Sequence, residues 1–389
     1  MSEKIIAGVT GGVKGWEVPK LSKENSELIR IAERFEIEGE LESVVPHGNG
    51  HINDTFLLNC RITPEKKCKY ILQRINHEVF KDPEGLMENI VEVTAFLQKK
   101  IKENGGDPTR EALNVIPVRD GSSYWEEQDG TFWRVYRFVE DADSFDVVKR
   151  PEDFYESAVA FGHFQKLLED YPAEKLHETI PNFHNTIDRM EKFKKAVKED
   201  SMHRVAEVED EIRFVMDREA DCHVLCDMLA SGEIPLRVTH NDTKLNNIML
   251  DHETGKGICV IDLDTVMPGS ALYDYGDSIR FGANTGEEDE KDLSKISCDL
   301  ELFVLYTKGF IEGCGGSLTE KEIRMLPMGA KLMTLECGIR FLTDYLEGDH
   351  YFKIHRPEHN LDRCRTQFAM VKDMEDKWDK MKEIVESYL

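Results

Sequence analysis

Basic residues are scarce in this chain. Fifty Lys and Arg face 76 Asp and Glu, a formal net charge of −26 at pH 7. Non-specific nucleic-acid binding and docking on anionic membranes both need a basic footprint, so neither a nucleic acid nor a membrane is expected as a partner. A local basic pocket for a phosphate ligand stays compatible with the balance. Long apolar runs are missing as well, and nothing approaches the roughly 20 residues that span a bilayer. The first 19 residues carry Lys4, but glycines at 8, 11, 12 and 15 break their apolar content, so no export leader is read there. The nine cysteines are scattered and odd in number. Without a leader they read as reduced thiols of a cytoplasmic protein. Cys222, His223 and Cys226 cluster, yet no second ligand group follows at zinc spacing. Internal repeats and low-complexity linkers are also lacking, and no obligate protein partner is evident.

What remains is a globular composition, 40% hydrophobic and 32% charged over 389 residues, long enough for two units. Residues 1–26 read as a flexible arm. Its run from Gly8 to Gly15 misses the Walker spacing, because Lys14 is not followed by Ser or Thr. Residues 27–140 read as a strand-rich lobe. Strands are expected at 55–59, 69–73, 114–118, 122–126 and 131–139, the last two joined by an Asp129-Gly130 hairpin turn. Leu86, Ile90, Val93, Leu97 and Ile101 recur at helical spacing and predict one amphipathic helix over 86–102. The stretch from Phe138 to Asp143 reads as a connector. Residues 141–389 read as a larger, mainly helical lobe, opened by Pro151 at a helix start. The fold class expected is α+β.

The chemistry concentrates in Val238–Leu250 and Ile258–Asp264. The first segment holds His240-x-Asp242-x-x-x-x-Asn247, the catalytic-loop spacing of kinase-like phosphotransferases. The second is an apolar strand that delivers Asp262 and Asp264. Phosphoryl transfer needs an acceptor oxygen in line with the γ-phosphate and neutralisation of the triphosphate charge. Asp242 is the expected base. Lys244 lies where a cation meets the transferred group, and His240 is expected to brace the loop. Asn247, Asp262 and Asp264 offer hard oxygen ligands of the kind Mg²⁺ takes. Neither Asp-Phe-Gly nor Ala-Pro-Glu follows, and Thr265–Gly269 leaves no room for a long activation loop, which favours a small acceptor over a protein. Asp274 and Asp277 read as helix-start acids.

In the first lobe, Gly48, Gly50 and Asn53 precede a strand and can admit a phosphate close to the backbone. The strand ending near Gln73 and Arg74 lacks the usual Lys. Glu88 and Glu92 are the candidate acids on the helix facing it.

Arg237–Asn247 and Ile261–Thr265 resemble the aminoglycoside phosphotransferase and choline kinase superfamily. A narrower likeness, to the N-acetylhexosamine 1-kinases, adds Gly50–Asn53, Arg134–Tyr136, Met267–Ser270, Gly276–Gly282, Arg340–Asp349 and Pro357–Leu361. It runs over roughly residues 27–375. The resemblance implies a bilobal protein-kinase-like fold and transfer from ATP, with Mg²⁺, to the anomeric hydroxyl of N-acetylglucosamine or N-acetylgalactosamine. It implies Asp242 as base, Asn247 and Asp262 as metal ligands with Asp264 beside them, and a nucleotide site that takes in Phe138 and Val139. The sugar pocket is implied near Phe281, Arg340, Asp344 and Tyr351, with His51 and Val44 from the first lobe. Acceptors of other kinases of this fold are aminoglycosides, choline, homoserine and methylthioribose. A nucleotide-binding sensor without turnover is the reading from another class.

Overall fold

The computed structural model describes residues 23–48 and 52–389. The Gly8–Gly15 run, Gly50 and His51 therefore lie outside the described residues. Helix α1 (Lys23–Ala32) begins inside the segment read as an arm. It is followed by strands β1 (Glu40–Pro46), β2 (Asp54–Arg61) and β3 (Lys67–Ile75), helix α2 (Pro83–Glu103), the single turn α3 (Pro108–Glu111), and β4 (Val115–Ile116), β5 (Trp125–Glu126) and β6 (Phe132–Arg137). These strands make one antiparallel sheet in the order β1-β2-β3-β6-β4, with β5 on β6. The Asp129-Gly130 turn closes the β5–β6 hairpin, with Gly130 at φ +81°. β1 has no counterpart in the sequence expectations. Its alternation is muted because only Val44 is fully buried along it.

Side-chain alternation gives the sheet two different faces. Leu58, Leu72, Trp133 and Val135 point to one side and pack with Leu28, Ile31 and Phe35 of the α1 region. Val44 belongs to this outer core, which corrects its expected place in the sugar pocket. Ile75 and Tyr136 point to the other side, onto α2. Asp82 caps α2 by accepting from Gly85 N (2.9 Å), and Pro83 occupies its first turn. The predicted stripe Leu86, Ile90, Val93, Leu97 and Ile101 is buried, and it meets Phe164, Leu167, Val238, Leu263 and Val266 of the second lobe in the same cluster. The two lobes thus share an apolar core beneath the sheet.

The second lobe starts with β7 (Ala142–Asp143) and α4 (Pro151–Leu167). Helices α5 (Thr186–Glu199), α6 (Glu209–Met216) and α7 (Glu219–Ser231) follow. Then come β8 (Arg237–Thr239), β9 (Ile248–Asp251), β10 (Gly257–Val260) and β11 (Met267–Gly269). The chain ends in α8 (Ala271–Gly282), α9 (Leu300–Cys314), α10 (Glu320–Glu347), α11 (His359–Asp376) and α12 (Trp378–Glu386). β8 pairs with β11, and β9 pairs with both β10 and β7, so the connector is stitched to the second lobe. All nine cysteines are free. No helix among the described residues is long and apolar enough to cross a membrane.

α8 and α10 cross at Gly276 and Gly329, where the backbones touch and a Cβ on Gly276 would collide with the Gly329 carbonyl. α8 carries Asp274 and Asp277, so this crossing sets the depth of the helix beneath the loop after β8. Gly276→Ala is expected to destabilise the protein by about 1–3 kcal/mol through overpacking. A denaturant titration that leaves the midpoint unchanged would contradict this packing.

Candidate active site

The loop between β8 and β9 is held from below by one carboxylate. Asp274 Oδ2 accepts from His240 N (3.0 Å) and Gln165 Nε2 (2.7 Å), and its Oδ1 accepts from Asn241 N (2.8 Å). Asp274 lies in the first turn of α8, but the cap is Ser270, which accepts from Leu272 N at 3.2 Å. Asp274 is the helix-start acid expected, though its oxygens serve the loop and not the cap, whereas Asp277, read the same way, lies in the second turn. Burial pushes its carboxyl up, against the opposing pull of His240 and the donors just named. Asp277 plays a parallel part. It accepts from Thr243 N (3.1 Å) and pairs with Arg280 (2.7 Å). Burial opposes its ionisation, but Arg280 and Lys244 outweigh that and hold its pKa low.

Thus braced, the loop arranges its polar residues as follows. His240 is fully buried against Phe161 and Phe164, its Nε2 against the Ile261 carbonyl (2.8 Å) and its Nδ1 accepting from Asp242 N (3.3 Å). The ring orients the loop from within the protein. Asn241 passes through the left-handed region at φ +64°, which turns Asp242 outward. Lys244 Nζ lies 2.9 Å from Asp242 Oδ1, and Asn247 Nδ2 donates to the Asp242 carbonyl (2.8 Å) and to its Oδ2 (3.2 Å). Asp242 raises the Lys244 pKa, burial opposes this, and Asp277 adds to it. The Asn247 Nδ2 is engaged by Asp242, and its Oδ1 has no hydrogen-bond partner among the described residues.

Across the cleft, Asp262 also adopts a left-handed backbone, φ +58°. Its carboxylate is open to solvent and has no hydrogen-bond or ion-pair partner among the described residues. It nevertheless sits deep between the lobes. The protein mass packed around it there, with the charges of Asp264 and Asp242, pushes its pKa up to about 7, against the pull of Arg134 and Lys244. Repelled carboxylates of this kind become comfortable when a cation joins them. Asn247 Oδ1 and Asp262 are hard oxygen donors of the kind a divalent cation takes. No group of three His, Cys, Asp or Glu side chains that could hold a metal occurs among the described residues. Asp264 does not join the set. It is buried, Oδ1 pairs with Arg134 (2.6 Å), and Oδ2 accepts from Asn53 Nδ2 (2.6 Å). Its expected role as a metal ligand is corrected on that ground.

The nucleotide lobe departs from expectation in three places. Gln73 faces the cleft, where its Oε1 accepts from Arg134 Nε (3.0 Å). Arg74, one residue on, faces the opposite side of the sheet, exposed and paired with Asp54, so it is not a phosphate contact. Glu88 pairs with His177 and Glu92 with the Tyr171 hydroxyl, both at the surface. The inward residue of α2 is Asn89, which donates to the carbonyls of Val266 (3.1 Å) and His177 (2.8 Å). Gly48 turns the chain at φ +73° after β1. At the connector, Phe138 packs edge-on against His47, and Val139 is buried with Cys259 beside Met249, Ile258 and Ile261. Such an apolar floor suits a nucleotide base.

On the acceptor side, buried Glu336 of α10 gathers three cationic or protonatable groups. His184 Nδ1 lies 3.1 Å away, with Arg189 and Arg340 each at 4.0 Å. Burial pulls the Glu336 carboxyl up, but His184, Arg340 and Arg189 win and hold it low. His184 Nε2 reaches the Asn241 carbonyl (3.4 Å), which links this hub to the loop. Arg340 lies among the rings of Phe183, Tyr351 and Phe352 and donates to the Tyr351 hydroxyl (3.3 Å). Tyr351 is 63% exposed, and Phe281 is half-buried in the last turn of α8. Asp344 is different. Its carboxylate accepts from the backbone N–H groups of His350, Tyr351 and Phe352 and from Asn360 Nδ2. It shapes the loop that carries Tyr351 and has no capacity left for an acceptor hydroxyl, a correction to its expected place in the pocket. Sequence reasoning missed His184, Glu336 and Phe183 as parts of this site, since no local motif marks them.

Two outcomes follow from this geometry. Asp274→Ala orphans two buried backbone donors and is expected to cost about 2–4 kcal/mol of stability. Equilibrium unfolding measures it, and a cost below about 0.5 kcal/mol would remove Asp274 from its bracing role. For Asp262, a pKa raised to about 7 means the folded protein keeps a proton that the unfolded chain releases near pH 4. Metal-free stability therefore falls as pH rises between those values. Asp262→Asn should be the more stable protein at pH 8 without divalent cation and lose that advantage by pH 4. Melting curves at both pH values test this, and equal curves at pH 8 would contradict it.

Solved structures share this architecture at low identity. A microcompartment-associated aminopropanol kinase is 16% identical, with 92% of this chain and 98% of that one covered and a TM-score of 0.59. An amicoumacin kinase in complex with AMP-PNP, Ca²⁺ and Ami is 13% identical over 90% and 93%, TM-score 0.55. Choline kinase from Cryptosporidium parvum is 14% identical over 94% and 99%, TM-score 0.54. These likenesses establish the bilobal kinase-like fold. Residues 43–298, from β1 to the segment before α9, match a single sequence family, and the chain belongs to the phosphotransferase enzyme family.

Proposed function

We propose that the protein transfers the γ-phosphoryl group of ATP to the anomeric hydroxyl of a neutral amino sugar, N-acetylglucosamine or N-acetylgalactosamine. Asp242 hydrogen-bonds the acceptor hydroxyl and takes its proton as the new O–P bond forms and the bond between the β- and γ-phosphates breaks, with ADP leaving. The glycosidic carbon–oxygen bond is untouched, so anomeric configuration is retained. Asn247 and Asp262 would hold Mg²⁺, whose contribution is to neutralise phosphate charge and orient the nucleotide. Lys244 fixes the Asp242 carboxylate and places its own charge beside the transferred group.

The observation that favours a neutral acceptor is that the acids around the loop, apart from Asp262, which is assigned to the cation, are paired. Among the described residues, Asp277 is matched by Arg280, Glu336 by His184 and two arginines, and Glu288 by Arg280 and Arg363. A cationic acceptor such as choline or an aminoglycoside needs unpaired acids in the pocket. A polyol needs paired donors and acceptors with an aromatic wall, and Arg340, Tyr351, Phe183 and Phe281 can supply these. The nucleotide-sensor reading has no supporting observation, because the Asp and Asn set that turnover requires is complete.

Phosphorus NMR of the protein with Mg²⁺, ATP and a panel of sugars tests this. The expected product is a glycosyl 1-phosphate from the N-acetylhexosamines and none from an anomerically methylated control. Phosphate transfer to an amino alcohol, with none to any sugar, would replace the acceptor. Asp242→Asn should lower kcat at least about 100-fold while the protein stays folded. An unchanged kcat would sink the assignment of the base.

A further inference from the structure

We propose that Arg134 is the cation of the nucleotide lobe that pins Asp264, and so leaves Asp262, rather than Asp264, to ligate the divalent cation with Asn247. The inference rests on the phosphotransferase reading above. Arg134 lies in the middle of β6, directly across from Gln73 on β3, the strand where a basic residue was expected and none faces the cleft. Its guanidinium is buried, at 1% exposure. Nε and Nη2 converge on Gln73 Oε1 (3.0 and 2.9 Å), and Gln73 in turn donates to Thr55 Oγ1 (3.1 Å). Nη2 also meets Asp264 Oδ1 at 2.6 Å, while Asn53 Nδ2 holds Oδ2 at 2.6 Å. Asp264 Oδ1 is thus ion-paired and Oδ2 hydrogen-bonded by groups of the first lobe, although Asp264 belongs to the second. Two residues earlier, Asp262 is held in its left-handed turn with a free carboxylate.

A second observation marks this network as more than packing. Among the described residues, Arg134 Nη1, the Tyr136 hydroxyl and Asp264 Oδ1 are all buried without a hydrogen bond, Oδ1 being held by its charge contact with Nη2 alone. The guanidinium stands 5.2 Å from the Tyr136 ring centre. Orphaned polar atoms next to a buried ion pair are uncommon in a merely structural contact. With the ion pair supplied by β6, α2 has no need of an inward acid, and its inward residue is the neutral Asn89.

Calorimetric binding of ATP, with Mg²⁺ and with EDTA, tests the assignment without relying on turnover. Wild-type protein is expected to bind ATP more tightly with Mg²⁺. Arg134→Met should lose about tenfold of that metal-dependent gain, with binding in EDTA changed less than about threefold, and Arg134→Lys should recover part of it. Asn53→Ala releases the other oxygen and should shift the gain in the same direction. It carries the test with Arg134→Lys if Arg134→Met does not fold. An unchanged metal-dependent gain in folded Asn53→Ala and Arg134→Lys would overturn the proposal. An equal loss with Mg²⁺ and with EDTA would overturn it too, since Arg134 would then act on the phosphates directly. No ATP binding by wild-type protein would instead overturn the phosphotransferase reading.

Discussion

The site depends on holding like charges close together without letting them pair away. Three carboxylates, Asp242, Asp262 and Asp264, face one another across the cleft and repel, as the raised pKa of Asp262 records. The fold resolves this unevenly. Asp242 receives Lys244, Asp264 receives Arg134 and Asn53, and Asp262 receives no partner among the described residues. A carboxylate left unpaired in a deep cleft is costly in a resting protein and useful for a cation-dependent reaction. The surrounding structure can be read as what keeps this uneven distribution in place.

Two buried supports do that work from opposite sides. Asp274 fixes the backbone of the loop after β8, and the Gly276–Gly329 crossing sets how close α8 comes to it. The sheet of the first lobe reaches down through Arg134 and Asn53 to the segment after β10. Because α2 buries its apolar stripe against both the sheet and Leu263 and Val266, the two supports belong to one packed body. Burial of those aliphatic side chains is worth roughly 1.5–3 kcal/mol each before entropy is counted.

On the acceptor side the logic is reversed. Glu336 is surrounded by more cationic capacity than it can use, and Arg340 is wrapped in aromatic rings. Positive charge here is screened by π faces and one shared carboxylate. A cluster built this way sets hydrogen-bond donors beside flat apolar rings.

The local motifs carried a great deal. His240, Asp242, Lys244, Asn247 and Asp262 lie within one stretch of about 25 residues, and their spacing alone dictates a loop followed by a strand. The α2 stripe and the Asp129-Gly130 turn are equally local, being properties of 3.6-residue periodicity and of a glycine at positive φ. Only the tertiary structure decided the long-range partners. Asp264 looked like a ligand because it lies two residues from Asp262, but residues 130 and 211 positions away claim its oxygens. Asp344 looked like a pocket acid because it lies one helical turn from Arg340, but three backbone amides of the next loop claim its carboxylate. Arg134 carried no sign of its role, since a strand residue's partners are set by sheet register, and sheet register is a property of the folded chain.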